Sequence, residues 1–249
     1  FSKDMSKEFE EQLIKARKLD ELSGGIGLPK IKNMPDGPEK KALESKLNKL
    51  VAEHESYQKK MIDACTISDQ VYISSIADRN VKSGKLGVGY GADNIKIGPE
   101  YGFGLSVAQK IKGPILLIKA SWGGKSLMYD FRPPSASDFK STKAYSDDAG
   151  HFWREMVKHV NGVLADPKKH HPDYDPSKGY EIAGFVWFQG FNDQFNPEYH
   201  GNYADNMKTF IKDVRTSFKT PNMPFVIGVL GTPRTKEKVD ENAVSIAQR

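Results

Sequence analysis

Two short, unbroken apolar runs stand out along the chain, each closing on a polar, glycine-rich tip. Ile115 to Ile118 leads into KASWGGKS, and Phe185 to Phe188 leads into QGFND. Runs of this length without polar alternation predict strands buried on both faces, as in a parallel sheet. Val71-Tyr72-Ile73 begins another strand, and residues 224–229 form a further buried one. Three- and four-residue spacing predicts helices over 38–64, 100–110, 151–164 and 198–217, with a last one from 239. Leu43, Leu47, Leu50, His54, Tyr57 and Met61 make a narrow stripe on the first of these. Tyr203, Met207, Phe210, Ile211 and Val214 make the apolar face of the fourth. Residues 4–22 are charged and helix-forming, and Gly and Pro break 23–38 into a loop. Residues 78–98 suggest a hairpin with Gly87 to Tyr90 as its return, while 121–148 and 166–180 read as proline-broken loops. Strand–helix alternation of this kind predicts a mainly parallel sheet with helices on both faces.

Composition narrows the class. The chain has 249 residues, 38% hydrophobic and 28% charged, enough for one large or two small domains. The net charge is +5 with pI near 9.0. Its lysines are scattered among acids, which argues for solubility and against a nucleic-acid surface. No apolar run approaches a membrane span. A single cysteine, Cys65, excludes an internal disulfide framework and a multi-cysteine zinc site. The chain begins at Phe1 and stops within an apparent helix, ENAVSIAQR, without a C-cap signal, so both ends read as cuts.

The polar tips carry the candidate chemistry, because ligands of open α/β sheets bind at the carboxyl ends of the strands. Gly190 permits a sharp turn. Asn192 offers a side-chain N–H donor of the kind that holds a developing oxyanion. Asp193 either orients that loop or accepts a hydrogen bond from a substrate. The plain alternative is a strand followed by an Asn-Asp turn.

Together with GPEYGFG at 98–104 and DFRPPS at 130–135, the WGGKS and GFND stretches resemble the SGNH-hydrolase superfamily, and within it the sialate O-acetylesterase-like carbohydrate esterases. The likeness covers roughly residues 68–249, with 1–67 as a helical insertion or flank. It implies an α/β three-layer sandwich whose mainly parallel, flavodoxin-like sheet lacks its first strand. The implied reaction removes acetyl groups from acetylated sugar or glycan through a serine acyl-enzyme, with no metal or organic cofactor. A secreted or periplasmic setting is implied by the family alone. Gly190-Phe191-Asn192-Asp193 matches the family's G-x-N-D block, which makes Asn192 one oxyanion donor and Gly123 or Gly124 the backbone donor. Around these lie the residues expected to face substrate. Trp122 stacks on a sugar ring or joins the core, and Lys125 and Ser126 follow the glycines. Arg132 grips a carboxylate or pins its loop. Gln189 meets substrate or the serine block. Glu100 pairs with Arg132 or a lysine at the rim, or favours its helix N-terminus.

The family's G-Q-S-N-like nucleophile block is absent, and no D-x-x-H block follows residue 193. The chain therefore reads as holding the oxyanion-hole blocks without nucleophile or base. Three decoys arise. Asp148 to His151 spells D-x-x-H, but it precedes the G-x-N-D block and sits where Asp caps a helix. Ser121 resembles a nucleophile elbow, but Lys119 stands where G-x-S-x-G needs glycine. His170, His171 and His200 lack metal-ligand spacing and read as solvated loop histidines. A non-catalytic carbohydrate-binding protein and an esterase for other esters remain the alternatives.

Overall fold

The computed structural model describes residues 31, 34–77, 80–136, 148–231 and 235–249. The helix expected over 4–22, most of the loop over 23–38 and part of the loop over 121–148 lie outside them. The fold is mixed α/β. The chain divides into two compact units, Phe1–Ile67 with Gly87–Ile97, and Ser68–Leu86 with Gly98–Arg249.

The first unit holds α1 (Pro38–Asp63). Proline suits its first turn, where the missing N–H would have no partner within the helix. Only Leu47 of its apolar stripe is buried. Residues 87–90 are turn rather than strand.

The second unit carries the sheets. β1 (Val71–Ala77) pairs antiparallel with β2 (Asn80–Lys85), so the hairpin return lies at 80–85 and not at Gly87 to Tyr90. β1 pairs in parallel with β3 (Ile115–Ser121), Val71 opposite Ile115 and Ala77 opposite Ser121. Between them runs α2 (Pro99–Ala108), started by Pro99 and steadied by Glu100, whose Oε1 accepts from Gly98 N at 3.0 Å. A side-chain carbon on Gly104 would lie 2.3 Å from Leu86 Cδ2 and 3.0 Å from Leu117 Cδ1. Glycine thus lets the helix settle close on the sheet. Gly104→Ala is expected to destabilise the protein by about 1–2 kcal/mol, because overpacking a filled core outweighs the better helix propensity of alanine. The denaturant midpoint checks this.

The remaining strands form a separate parallel pair, β4 (Phe185–Trp187) with β5 (Phe225–Ile227). Among the described residues no ladder joins β3 to β4, so the strands form two sheets and β3 pairs only with β1. Nor is β4 buried on both faces. Trp187 faces the core, whereas Val186 and Phe188 are 51% and 60% exposed. An apolar run states that a strand can be buried; the partner that covers its second face is a tertiary matter.

Helix α5 (Tyr203–Ser217) covers the inner face of this pair through Phe210, while α3 (His151–Ala165) packs on β1 and β3 and reaches Phe210 through Trp153. Trp153, Trp187, Phe210 and Phe131 meet there in tilted and edge-to-face contacts, with Trp187 and Phe210 centroids 4.4 Å apart. The helix expected over 198–217 is two helices. α4 (Pro197–Gly201) is capped by Asn196, whose side chain accepts from Glu198 N at 2.9 Å, and the chain restarts after Asn202. The last helix is likewise divided into α6 (Lys236–Glu241) and α7 (Ala243–Ala247), with Asn242 capping the second. No helix among the described residues is long and apolar enough to cross a membrane.

Candidate functional site

The two polar tips meet. β3 ends at Ser121 and β4 at Trp187, and the loops that follow are tied together by Asp193. This carboxylate is fully buried and accepts from Leu127 N at 3.0 Å, Met128 N at 3.1 Å and Gln189 Nε2 at 2.7 Å. Burial raises its pKa above the ordinary value, against the pull of those donors toward the ionised form. Gln189 completes the tie by donating to Lys125 O at 2.8 Å.

Behind Gln189 stands a buried polar group. Tyr203 donates its single hydroxyl hydrogen to Gln189 O at 3.0 Å, with Gln189 Oε1 at 3.2 Å as the alternative acceptor. The Tyr203 hydroxyl oxygen accepts from Trp187 Nε1 at 3.2 Å and Gln248 Nε2 at 3.1 Å. Burial pushes the Tyr203 phenol well up, so it stays a neutral donor. Tyr203 and Gln248 were not singled out from sequence as polar partners. The available signal was an aromatic with a polar tip on an apolar helix stripe, which requires a partner when buried.

What this scaffold presents is Asn192 beside the Gly123-Gly124 turn. Gly124 adopts φ +71°, and a side-chain carbon there would lie 3.6 Å from Asn192 Nδ2. At Gly123 nothing stands within 4 Å of that position. Among the described residues the Asn192 side chain and the Gly123 and Gly124 amides make no hydrogen bond. Three donor nitrogens, Asn192 Nδ2 and the two glycine amides, are therefore without a hydrogen-bond partner among the described residues.

The residues expected to face substrate divide. Lys125 lies at the surface of this turn, with Nζ 4.2 Å from the Phe152 ring centroid and 3.4 Å from Asp130 Oδ1. Trp122 is half-buried and packs on Phe152 and Phe131, at 4.9 and 5.8 Å between centroids. Four others turn inward, which for Arg132 and Asp193 is the loop-holding role expected beside a substrate contact. Ser126 is buried, donates to Asp130 Oδ2 at 2.9 Å and accepts from Tyr129 N at 3.2 Å. Buried Arg132 donates to Met128 O at 3.0 Å and holds its own loop. Gln189 and Asp193 form the tie already described. The reason is common to all four: a loop crossing the top of a core has backbone groups to satisfy, and these side chains are the nearest polar partners. Glu100 pairs with Lys119 at 3.0 Å rather than with Arg132.

The decoys resolve into distinct roles. Asp148 Oδ2 lies 3.0 Å from His151 Nδ1, and Asp148 also pairs with Arg154; both partners are exposed. The helix cap itself is Gly150, at φ +78°, without a side-chain contact, so the capping role expected of Asp148 is not filled. Buried His171 accepts from Asp173 N at 3.2 Å and reaches Gln70 O at 3.1 Å, a satisfied core histidine rather than a solvated one. His170 Nδ1 sits 3.0 Å from Ser83 Oγ, and burial followed by nearby Lys169 lowers its pKa.

Residues 53–249 match the family model described as carbohydrate esterase, sialic acid-specific acetylesterase. No curated protein matches the chain. Among solved structures, an Arabidopsis thaliana protein is similar with a TM-score of 0.50 and 18% identity, over 74% of this chain and 64% of that one. A carbohydrate acetylesterase from Xanthomonas citri is similar with a TM-score of 0.42 and 14% identity, over 68% of this chain and 36% of that one. The chain thus spans less than two thirds of either, at 64% and 36%. The likeness to the plant protein speaks for the fold alone. The family model covers most of the chain, and this protein belongs to that family, the carbohydrate esterases described as sialic acid-specific acetylesterases.

Proposed function

We propose that this chain supplies the oxyanion-binding part of a carbohydrate acetylesterase of SGNH type, acting on acetylated sugar or glycan. The observation that carries the reading is the free Asn192 amide beside the unpartnered amides of Gly123 and Gly124. When a nucleophile attacks an acetyl carbonyl, the oxygen gains charge, and N–H donors already in position stabilise it without reorganising. Loss of one such donor typically raises the barrier by about 2.7–4 kcal/mol. In this reading Asp193, Gln189, Ser126 and Arg132 position the donors, and Lys125 and Trp122 border the substrate. The esterase domain is residues 68–249, and its flavodoxin-like layering is part of the same proposal. The attacking serine and its histidine base have no matching block in this chain.

The test measures acetyl release from p-nitrophenyl acetate by this chain and by Ser121→Ala, while the side-chain amide signal of Asn192 is followed on adding an O-acetylated sugar. The expected result is no release above background and a shifted Asn192 signal. Release abolished in Ser121→Ala would make Ser121 the nucleophile and overturn the account of a chain without one. An Asn192 signal that does not move would remove the oxyanion role.

A further inference from the structure

Along α5 lies a groove of about 390 Å³. Its walls carry Lys208, Lys212, Arg215 and Lys219, and its apolar floor includes Ile211 and Pro221. The cations recur at intervals of four, three and four residues, one helix face extended just past the last turn. No carboxylate lines the groove. Among the described residues only Lys208 has an acidic partner, Asp205 at 3.1 Å. Arg215 donates from Nε to Met223 O at 3.1 Å, which fixes the plane of its guanidinium. Its remaining N–H groups have no partner among the described residues.

A second, independent observation concerns Lys219. It follows the α5 cap, and its φ of +55° is the one positive φ of a non-glycine residue among those described. Lys219 N donates to Thr216 O and Thr220 N to Arg215 O, the bonds of a left-handed helix end, where glycine is the unstrained residue. A lysine here is held in a costly conformation and lines the groove. Strain kept at one wall of a site points to a role for that side chain.

We propose that this groove binds an anionic polysaccharide, one bearing sulfate or carboxylate groups along its chain, and so anchors the glycan whose acetyl groups the Asn192 site would address. The choice of a glycan rests on the esterase reading. It is favoured over single-stranded nucleic acid because no aromatic side chain lines the groove to stack on bases.

The experiment measures binding of the whole chain to dextran sulfate, polygalacturonate, neutral dextran and duplex DNA across a salt series, beside Lys212→Ala/Lys219→Ala and Lys219→Gly. Binding to one or both anionic glycans and not to neutral dextran is expected, weakening as salt rises. The two anionic arms separate sulfate from carboxylate. The double variant should bind roughly tenfold more weakly, as fewer counterions are released. Lys219→Gly should raise Tm by about 2–4 °C through relief of the left-handed backbone, and also weaken binding. Unchanged binding in both variants, or no binding by the parent chain, overturns the proposal. Tighter binding to DNA than to either anionic glycan overturns the glycan assignment. The acetyl-ester measurement is read separately, so a groove that binds polyanion while Asn192 is silent defeats only the esterase reading.

Discussion

Gly190→Ala is expected to destabilise the protein by about 3–4 kcal/mol, combining backbone strain with overpacking. Gly190 holds φ +142°, a conformation that L side chains rarely adopt. A side-chain carbon there would lie 2.7 Å from Val244 Cγ1, 2.9 Å from Leu230 Cδ1 and 3.0 Å from Gln248 Nε2. Val244 and Leu230 are buried, and Gln248 is bound to Gln189 O at 2.6 Å and to Leu230 N at 2.9 Å. Relief of the clash therefore requires α7 to withdraw, which would open the Tyr203 network. Urea unfolding followed by tryptophan fluorescence checks both the size and the cause, since Trp187 donates into that network. A variant within 0.5 kcal/mol of the parent, about the scatter of a neutral surface change, would show that α7 does not brace the loop.

Asp193→Ala is expected to cost about 3 kcal/mol, because each buried donor left without an acceptor costs about 1–3 kcal/mol. The amides of Leu127 and Met128 would lose their acceptor inside the protein. The same substitution should loosen Asn192 from Gly124, because Asp193 holds the two loops together. The pH dependence has a definite sign. Burial raises the folded-state pKa of Asp193 above the ordinary 3.8. A raised folded value means that the folded protein holds this proton more tightly than the unfolded chain does. The associated stability is complete below about pH 3.8 and is lost as pH rises through the folded value. Across that window the unfolding free energy of the parent should therefore fall relative to that of Asp193→Asn as pH rises. Parallel curves would show that the carboxyl titrates alike in both states.

Much of the local structure was legible because it depends on neighbours in sequence. Pro38 and Pro99 mark the helix starts where a missing N–H is harmless. The stripe of Tyr203, Met207, Phe210 and Val214 is buried as its spacing requires. The tips at Gly123-Gly124 and Asn192 come together, and their chemistry, a free amide donor beside open backbone N–H groups, follows from residue type. The break at Asn202 was less visible, since Asn196 and Pro197 form a helix start inside an otherwise continuous apolar period. The inward turn of Ser126 and Gln189 could not be read from sequence, and for Arg132 and Asp193 a loop-holding role stood level with a substrate contact. A polar side chain after a strand serves a substrate or its own loop equally well on paper, and only the burial of that loop decides.

Sequence alone determined the α/β class, the positions of every described strand but β2 and of most helices, the family resemblance and the two polar tips. Each rests on period, cap chemistry or residue type, which act over a few positions. The tertiary structure decided that β4 and β5 pair apart from β3, that Val186 and Phe188 remain exposed, that Asp193 ties the site from within, and that Lys208, Lys212, Arg215 and Lys219 share one groove. These depend on which distant segments meet, and an apolar or charged residue does not carry the address of its partner.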